Sequence, residues 1–373
     1  MFEAAPRRVL MTADTVGGVW TFALELSAAL EPHCVEVILV TMGGLPSDEQ
    51  RRQAARLNNV RLLASNYCLE WMNNPWRDVD DSGRWLLDLA DRYDPDVIHL
   101  NGYCHGALPF QAPVVMTAHS CVLSWWRAVR GEDAPPEWNT YRRRVRAGLQ
   151  SANLITAPSE AMLREIERHY GPGLPSGRTI PNGRAPGLFR RETKKPIVFA
   201  AGRLWDEAKN IEALTSVAES LPWPVWLAGE DRHPVKAAVD ARWPSDAALR
   251  LGPVAPRTIA DCLAYAAIYA HPARYEPFGL TVLEAAMSGC ALVLADIPSL
   301  RENWNGAALF VAPDEPERLK AALLQLIGEP ALREDLGQRS LARSRLFSAE
   351  TMAANYMAAY SAVTATREVA CAS

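Results

Sequence analysis

The sequence predicts an α/β protein in two domains. Three observations carry this. Short apolar runs alternate with helix-patterned segments along the chain, the signature of parallel βαβ units. The length of 373 residues exceeds what one hydrophobic core fills. And the polar, basic, turn-rich stretch Asn182 to Pro196 interrupts the alternation midway, as an interdomain linker does.

In order, Arg8 to Met11 is a short strand that breaks into the Gly17-Gly18 turn, and Val19 to Leu30 carries apolar residues at helical spacing. Val35 to Thr41 is a buried-type strand ended by Gly43-Gly44. Further strands are expected at Val60 to Leu63, Val97 to Leu100, Val114 to Thr117, Leu154 to Ala157 and Arg178 to Ile180. Helices are expected at Trp85 to Tyr93 and Trp138 to Ser151. After the linker, strands at Ile197 to Ala201, Val225 to Ala228, Leu249 to Leu251, Ile268 to His271 and Ala291 to Ala295 alternate with helices. These helices are Asn210 to Ser220, Pro234 to Trp243, Thr258 to Ala266, Leu280 to Ser288 and Pro316 to Ile327, with two amphipathic segments closing the chain. Met352, Tyr356, Met357 and Tyr360 form one stripe of the last. Ligands of open parallel sheets bind beyond the carboxyl ends of the strands, so chemistry is sought in the loops there.

Composition narrows the class. With 39 Lys and Arg against 43 Asp and Glu, the net charge of -4 argues against a nucleic-acid binder, which needs a basic excess to displace counterions. The seven cysteines are scattered without a Cys-x-x-Cys pair, so reduced thiols are expected, not a disulfide frame or a zinc site. No signal-type segment follows Arg7 and Arg8, and no run reaches the ~18 apolar residues of a spanning helix. A cytoplasmic location is expected.

Two loops of the second half stand out. Ala273 to Ser288 follows a strand and opens a helix; backbone N–H groups at Phe278, Gly279 and Leu280, with the helix dipole, suit an anion. Glu284 lies in that helix, where a carboxylate can accept from vicinal hydroxyls, and Glu276 precedes it. In Gly202 to Asn210, Arg203 and Lys209 offer two cations at the same sheet edge. Each residue alone also reads as a solvated surface charge. Together they make a diphosphate cradle with no metal.

GRLWDEAKN, EPFGLTVLEAAMSG and LRENWNGAALFV resemble the GT-B retaining glycosyltransferases of family 4. DVIHLNG, TAHS, APSE and IPNG fall in the family's order, so the likeness covers nearly the whole chain. It implies two Rossmann-like domains facing across a cleft, with the C-terminal helix crossing back to the first. The implied division is 1–183 with 348–373, a linker at 184–196, and a donor domain at 197–347. The resemblance further implies that Arg203 and Lys209 bind the donor diphosphate, Glu284 holds the ribose, and Glu276 with Phe278, Gly279 and Leu280 binds donor sugar and phosphate. Gly17 and Gly18 bring main-chain N–H groups to the donor, His119 contacts the sugar near the reacting carbon, and Gly229-Glu230 lies near the base. His119, Arg203, Lys209 and Glu276 are the catalytic candidates.

The expected reaction is transfer of a sugar from a nucleotide-sugar, a UDP- or GDP-sugar, to a hydroxyl of a carbohydrate, lipid-linked or small-molecule acceptor. The nucleotide-sugar is a co-substrate, with no metal and no other cofactor. The other reading is a catalytically weak sugar-nucleotide binder of the same fold. Asp78-Val79-Asp80 and Asp94-Pro95-Asp96 match the short metal motif of a different transferase fold and are read as structural. Trp20, Trp125, Trp126 and Arg127 are candidates for an acceptor groove, against the plainer reading of core tryptophans and a solvated helix face. A peripheral membrane contact has only weak support, and the oligomeric state is open.

Overall fold

The computed structural model describes residues 6–232 and 247–372. It divides into two compact units: residues 1–124, 133–183 and 349–373 in the first, and 125–132 with 184–348 in the second.

In the first unit the strands are β1 (Arg8–Asp14), β2 (Glu36–Met42), β3 (Val60–Ala64), β4 (Val97–Leu100), β5 (Val114–Thr117), β6 (Leu154–Ala157) and β7 (Gly177–Thr179). They form one parallel sheet in the order β3-β2-β1-β4-β5-β6-β7. The helices are α1 (Gly18–Leu30), α2 (Asp48–Ala55), α3 (Trp76–Tyr93), α5 (Asn139–Ser151) and α6 (Glu160–Tyr170), while α4 (Val122–Arg130) starts in this unit and counts with the second from Trp125 on. The central strands are apolar on both faces because helices cover both faces of a parallel sheet; β2 is buried throughout from Val37 to Met42.

In the second unit β8 (Lys195–Ala201), β9 (Val225–Ala228), β10 (Ala248–Gly252), β11 (Ala266–His271), β12 (Ala291–Ala295) and β13 (Ala308–Val311) pair in the order β10-β9-β8-β11-β12-β13. Its helices are α7 (Ile211–Ala218), α8 (Pro256–Tyr265), α9 (Leu280–Met287), α10 (Pro298–Trp304), α11 (Pro316–Gly328) and α12 (Pro330–Ser344). Strand alternation divides its core between the two sheet faces. Val198 and Ala200 pack with Leu214, Leu319 and Leu323 on one face. Ile197, Phe199 and Ala201 pack with Val282, Trp304 and Phe347 on the other.

The last helix, α13 (Ala349–Ala372), belongs to the first unit, as the resemblance implies. Met352, Tyr356, Ala359 and Tyr360 join the core that holds Val9, Met11, Trp20 and Phe22. A polar network fixes its register. His99 Nδ1 lies 2.7 Å from the Tyr360 hydroxyl and His99 Nε2 lies 2.7 Å from Thr117 Oγ1. Thr117 in turn meets Thr156 at 2.7 Å and Tyr356 at 3.1 Å. All five side chains are buried, so each needs these partners.

Several elements differ from expectation. Helix α3 begins at Trp76, nine residues before Trp85; before Leu86 its buried face is Val79 with the small residues Ser82 and Gly83, too sparse an apolar stripe to mark a helix. Helices α2, α4, α6 and α10 and strand β13 were not expected. The stretch read as a linker packs on the second unit: Arg184 N–H donates to Phe347 O at 3.1 Å, Arg190 pairs with Asp261 and Arg191 with Glu334. The helix expected at Pro234 to Trp243 lies outside the described residues. No helix among the described residues is long and apolar enough to cross a membrane. The cysteines described are free thiols.

Candidate functional site

In the second sheet β8 has β9 on one side and β11 on the other, so the chain reverses its direction of travel between β8 and β11. Such a switch point splays the two loops leaving the strands' carboxyl ends and opens a crevice between them. Those loops are 202–210 and 272–279, which carry Arg203, Lys209, Glu276, Phe278 and Gly279. They are tied to each other: Arg274 N–H donates to Ala208 O at 2.8 Å. Asn210, buried and left-handed at φ 52°, donates through Nδ2 to Pro272 O at 2.9 Å and to Pro313 O at 2.8 Å.

Lys209 Nζ lies 2.6 Å from Glu276 Oε2, with 18% and 11% of the two side chains exposed. His271 Nε2 reaches the same oxygen at 3.1 Å. Glu276 Oε1 accepts from Gly279 N–H at 2.9 Å and Phe278 N–H at 3.4 Å, at the start of α9. Burial opposes the Glu276 charge, but the Lys209 ammonium and the His271 hydrogen bond outweigh it and hold the carboxyl well below the usual range. Burial pushes the His271 pKa down, partly offset by Glu276, so a neutral ring donates its Nε2–H. The backbone donors at 278 and 279, expected to meet an anionic ligand, thus serve a carboxylate of the chain itself. Leu280 is the first residue of α9, behind the left-handed Gly279 at φ 89°.

The other charges are also paired within the unit. Arg203 Nη2 bonds Asp206 Oδ2 at 2.8 Å, and Asp206 Oδ1 caps the 3-10 turn Glu207–Lys209 through Ala208 N–H. With 40% of the Arg203 side chain exposed against 8% of Asp206, the guanidinium stays anchored to a buried carboxylate and still has donors facing outward for a second anion. Glu284 is buried in α9 and its Oε1 lies 3.1 Å from Arg184 Nη2. Gly229, leaving β9, backs directly onto Gly202. The exposed Glu230 takes part through its carbonyl, which accepts from Leu204 N–H at 2.7 Å.

The first sheet repeats the plan, with its switch between β1 and β4. Gly17, at φ 113°, and Gly18 are exposed where α1 begins. His119 follows β5; its Nε2 lies 2.7 Å from Asn101 Oδ1, and Asn101 Nδ2 donates to Thr12 O at 2.6 Å. Phe22 packs against the imidazole at 4.4 Å between centroids. Burial pushes the His119 pKa down to about 3, so it is a neutral hydrogen-bonding group and not a cation near neutral pH. His99 is likewise pushed down to about 3 by burial, with His119 adding to it.

These depressed values set an acid limb of stability. In the unfolded chain both histidines titrate near ~6.5. Below that pH the unfolded state takes up protons that the folded state refuses. Stability is therefore full above ~6.5 and falls as pH drops toward 3, by up to ~1.4 kcal/mol per pH unit for each histidine. Urea unfolding at pH 7 and pH 5 should show this loss, reduced in His119→Gln; an equal loss in parent and variant would refute the assignment.

The aromatic candidates divide. Trp20 is 5% exposed and donates Nε1–H to Gln53 Oε1 at 2.9 Å, so it is a core residue and not a sugar platform. The expectation fails because Trp20 sits on the face of α1 that packs under α13. On α4, Trp125 and Trp126 are half-buried and meet edge to face at 5.8 Å, with Arg127 exposed beside them. The two Asp-x-Asp motifs have structural partners. Asp78 accepts from Cys68 N–H, Asp80 pairs with Arg144, Asp94 ends α3 in a left-handed conformation, and Asp96 accepts from Arg7 and Arg8 N–H.

Sequence reasoning missed Arg184, His271 and Asn210. His271 could have been noticed as a titratable residue ending a buried strand, five positions before Glu276.

Residues 16–186 match the family model for Glycosyltransferase Family 4, and residues 188–343 match Glycosyl transferases group 1. The glycogen synthase of Mycobacterium tuberculosis is 30% identical over 374 residues, 89% of this chain and 87% of that protein. Two other curated relatives match in part, the chain spanning 54% and 42% of their lengths. Among solved structures, the sucrose-phosphate synthase of Thermosynechococcus elongatus superposes with a TM-score of 0.80 at 19% identity, over 98% of this chain and 100% of that one. The Anabaena protein HepE, solved with UDP and glucose, gives 0.73 at 16% identity over 95% and 99%. With its two parallel sheets, its returning helix and the carboxylates of Glu276 before α9 and Glu284 within it, the chain belongs to the group 1 glycosyltransferases of family 4, with the GT-B fold.

Proposed function

We propose that the protein transfers a sugar from a nucleotide-sugar, a UDP- or GDP-sugar, to an acceptor hydroxyl with retention of anomeric configuration and without a metal. The observation that carries this reading is the Lys209–Glu276 pair at 2.6 Å, set at the sheet's switch point beside the start of α9. An ammonium has three donors and Glu276 takes one, so Lys209 can serve diphosphate oxygens and stay paired. Arg203, on the same loop, has donors beyond its bond to Asp206 to offer phosphate. Glu276, held anionic by its neighbours, accepts from donor-sugar hydroxyls. HepE, solved with UDP and glucose, supports a nucleotide-sugar donor.

As the anomeric C–O bond breaks, negative charge grows on the diphosphate, and fixed cations beside it lower the barrier. The acceptor oxygen bonds the anomeric carbon on the face the diphosphate leaves, and its proton passes to a leaving phosphate oxygen. This route needs no carboxylate nucleophile. Neutral His119 offers the sugar a hydrogen bond, not a charge. The half-buried Trp125 and Trp126 with Arg127 remain the acceptor candidates.

A thermal-shift panel of UDP-, GDP- and ADP-sugars tests the reading. At about 100 times Kd a donor should raise the midpoint by several degrees. The stabilising donor should then be consumed, with or without added acceptor, and EDTA should leave the rate unchanged. No shift with any donor would overturn the reading. A shift with no turnover under any acceptor would leave a sugar-nucleotide binder, and loss of activity in EDTA would restore a metal.

A further inference from the structure

We propose that Arg184 is a positioning residue for nucleotide binding, fixing the Glu284 carboxylate against the ribose and so setting the preference for ribonucleotides over 2′-deoxyribonucleotides. This rests on the proposed function, with Glu284 holding the ribose as the family resemblance implies. Arg184 is the first residue of the main segment of the second unit, at the point where the chain leaves the first. Its backbone is pinned there: its N–H donates to Phe347 O at 3.1 Å, and it bridges Ser348, next to the return crossing. The side chain runs inward with only 9% exposed. Its guanidinium carbon sits 5.1 Å from the centre of the Phe189 ring, and Nη2 lies 3.1 Å from Glu284 Oε1.

A planar, always-charged guanidinium clamped by an aromatic ring orients a carboxylate more narrowly than a flexible ammonium does. Glu284, rooted in α9 with 11% of its side chain exposed, is therefore held in one orientation. A ribose diol can use both of its hydroxyls there. A 2′-deoxyribose loses one donor to an ionised group, a difference of about tenfold or more.

Calorimetric titration with UDP and 2′-deoxy-UDP, and with the GDP and ADP pairs, tests this in the parent, Arg184→Gln and Arg184→Lys. The parent should prefer the ribo form of the nucleotide it binds by about tenfold or more. Arg184→Gln should bring that preference to about twofold or less, as Glu284→Ala should, and Arg184→Lys should restore part of it. General loosening of the fold would weaken both forms equally and leave the ratio intact. A parent-like ratio in Arg184→Gln would overturn the positioning role while leaving the nucleotide site standing. Failure of the parent to bind any of the diphosphates would overturn the ribose reading itself, and the inference with it. If Arg184→Gln does not fold, Arg184→Lys decides alone, and an undiminished ratio there would overturn the proposal.

Discussion

Lys209→Ala should lower kcat about a hundredfold to a thousandfold, the cost of removing one preorganised donor from a developing oxyanion. Two consequences of the geometry make the loss specific. First, the charge on the leaving diphosphate grows only in the transition state, so turnover should suffer more than donor binding. Second, the Lys209 ammonium is the chief partner offsetting the burial of Glu276, whose side chain is 11% exposed. Without it the carboxylate stays buried with His271 and two backbone N–H groups as partners. Truncating one side of a buried pair costs about 3–5 kcal/mol where the surviving charge has nothing else. Here the remaining bonds should hold the loss below that. Glu276→Gln combined with Lys209→Ala removes the stranded charge, so the double variant should recover stability without recovering turnover. Steady-state kinetics with the donor identified by thermal shift, alongside urea melts, separates the two. Parent-like kcat in a folded Lys209→Ala would refute the diphosphate role.

The sequence carried the sheet well and the site only in part, for reasons visible in particular residues. Strands such as β2 and β12 are continuous apolar runs with few alternatives. Helix α2 is polar throughout and buries only Ala54, so no periodicity marks it; its signal is the capping box of Ser47 with Gln50. Helix α6 had both a Ser159 cap and a clear stripe of Ala161, Met162, Ile166 and Tyr170, and was legible without structure. The loops holding Arg203, Lys209 and Glu276 stood out because residue type and position after a strand coincide there. Their pairing did not, since which cation meets which carboxylate depends on sheet order. Arg184 and Glu284 lie far apart in sequence and are joined only by the way the chain re-enters the second unit. Trp20 misled because an indole just after a Gly-Gly turn reads the same whether it faces a ligand or a core.

Gly229→Ala should cost about 3 kcal/mol or more of stability and remove nucleotide binding with it. A Cβ at this position would lie 1.7 Å from the carbonyl oxygen of Gly202, a backbone atom with no rotamer to yield. The strand ends are locked in place around it. Gly202 N–H donates to Ala228 O at 3.0 Å, Gly229 N–H to Gly252 O at 2.9 Å and Leu204 N–H to Glu230 O at 2.7 Å. Relief must break some of these bonds, and the first to move is the loop that begins at Gly202 and carries Arg203 and Lys209. The φ of 139° at Gly229 adds strain of its own. Gly306→Ala supplies the comparison. Gly306 also has a positive φ, 79°, but nothing lies within 4 Å of an added Cβ. It should therefore cost only the strain of about 1–2 kcal/mol. Urea unfolding of the two variants should separate clash from strain. Equal losses would mean that the two strand ends do not approach as closely as described, and that the cradle loop is not braced from behind.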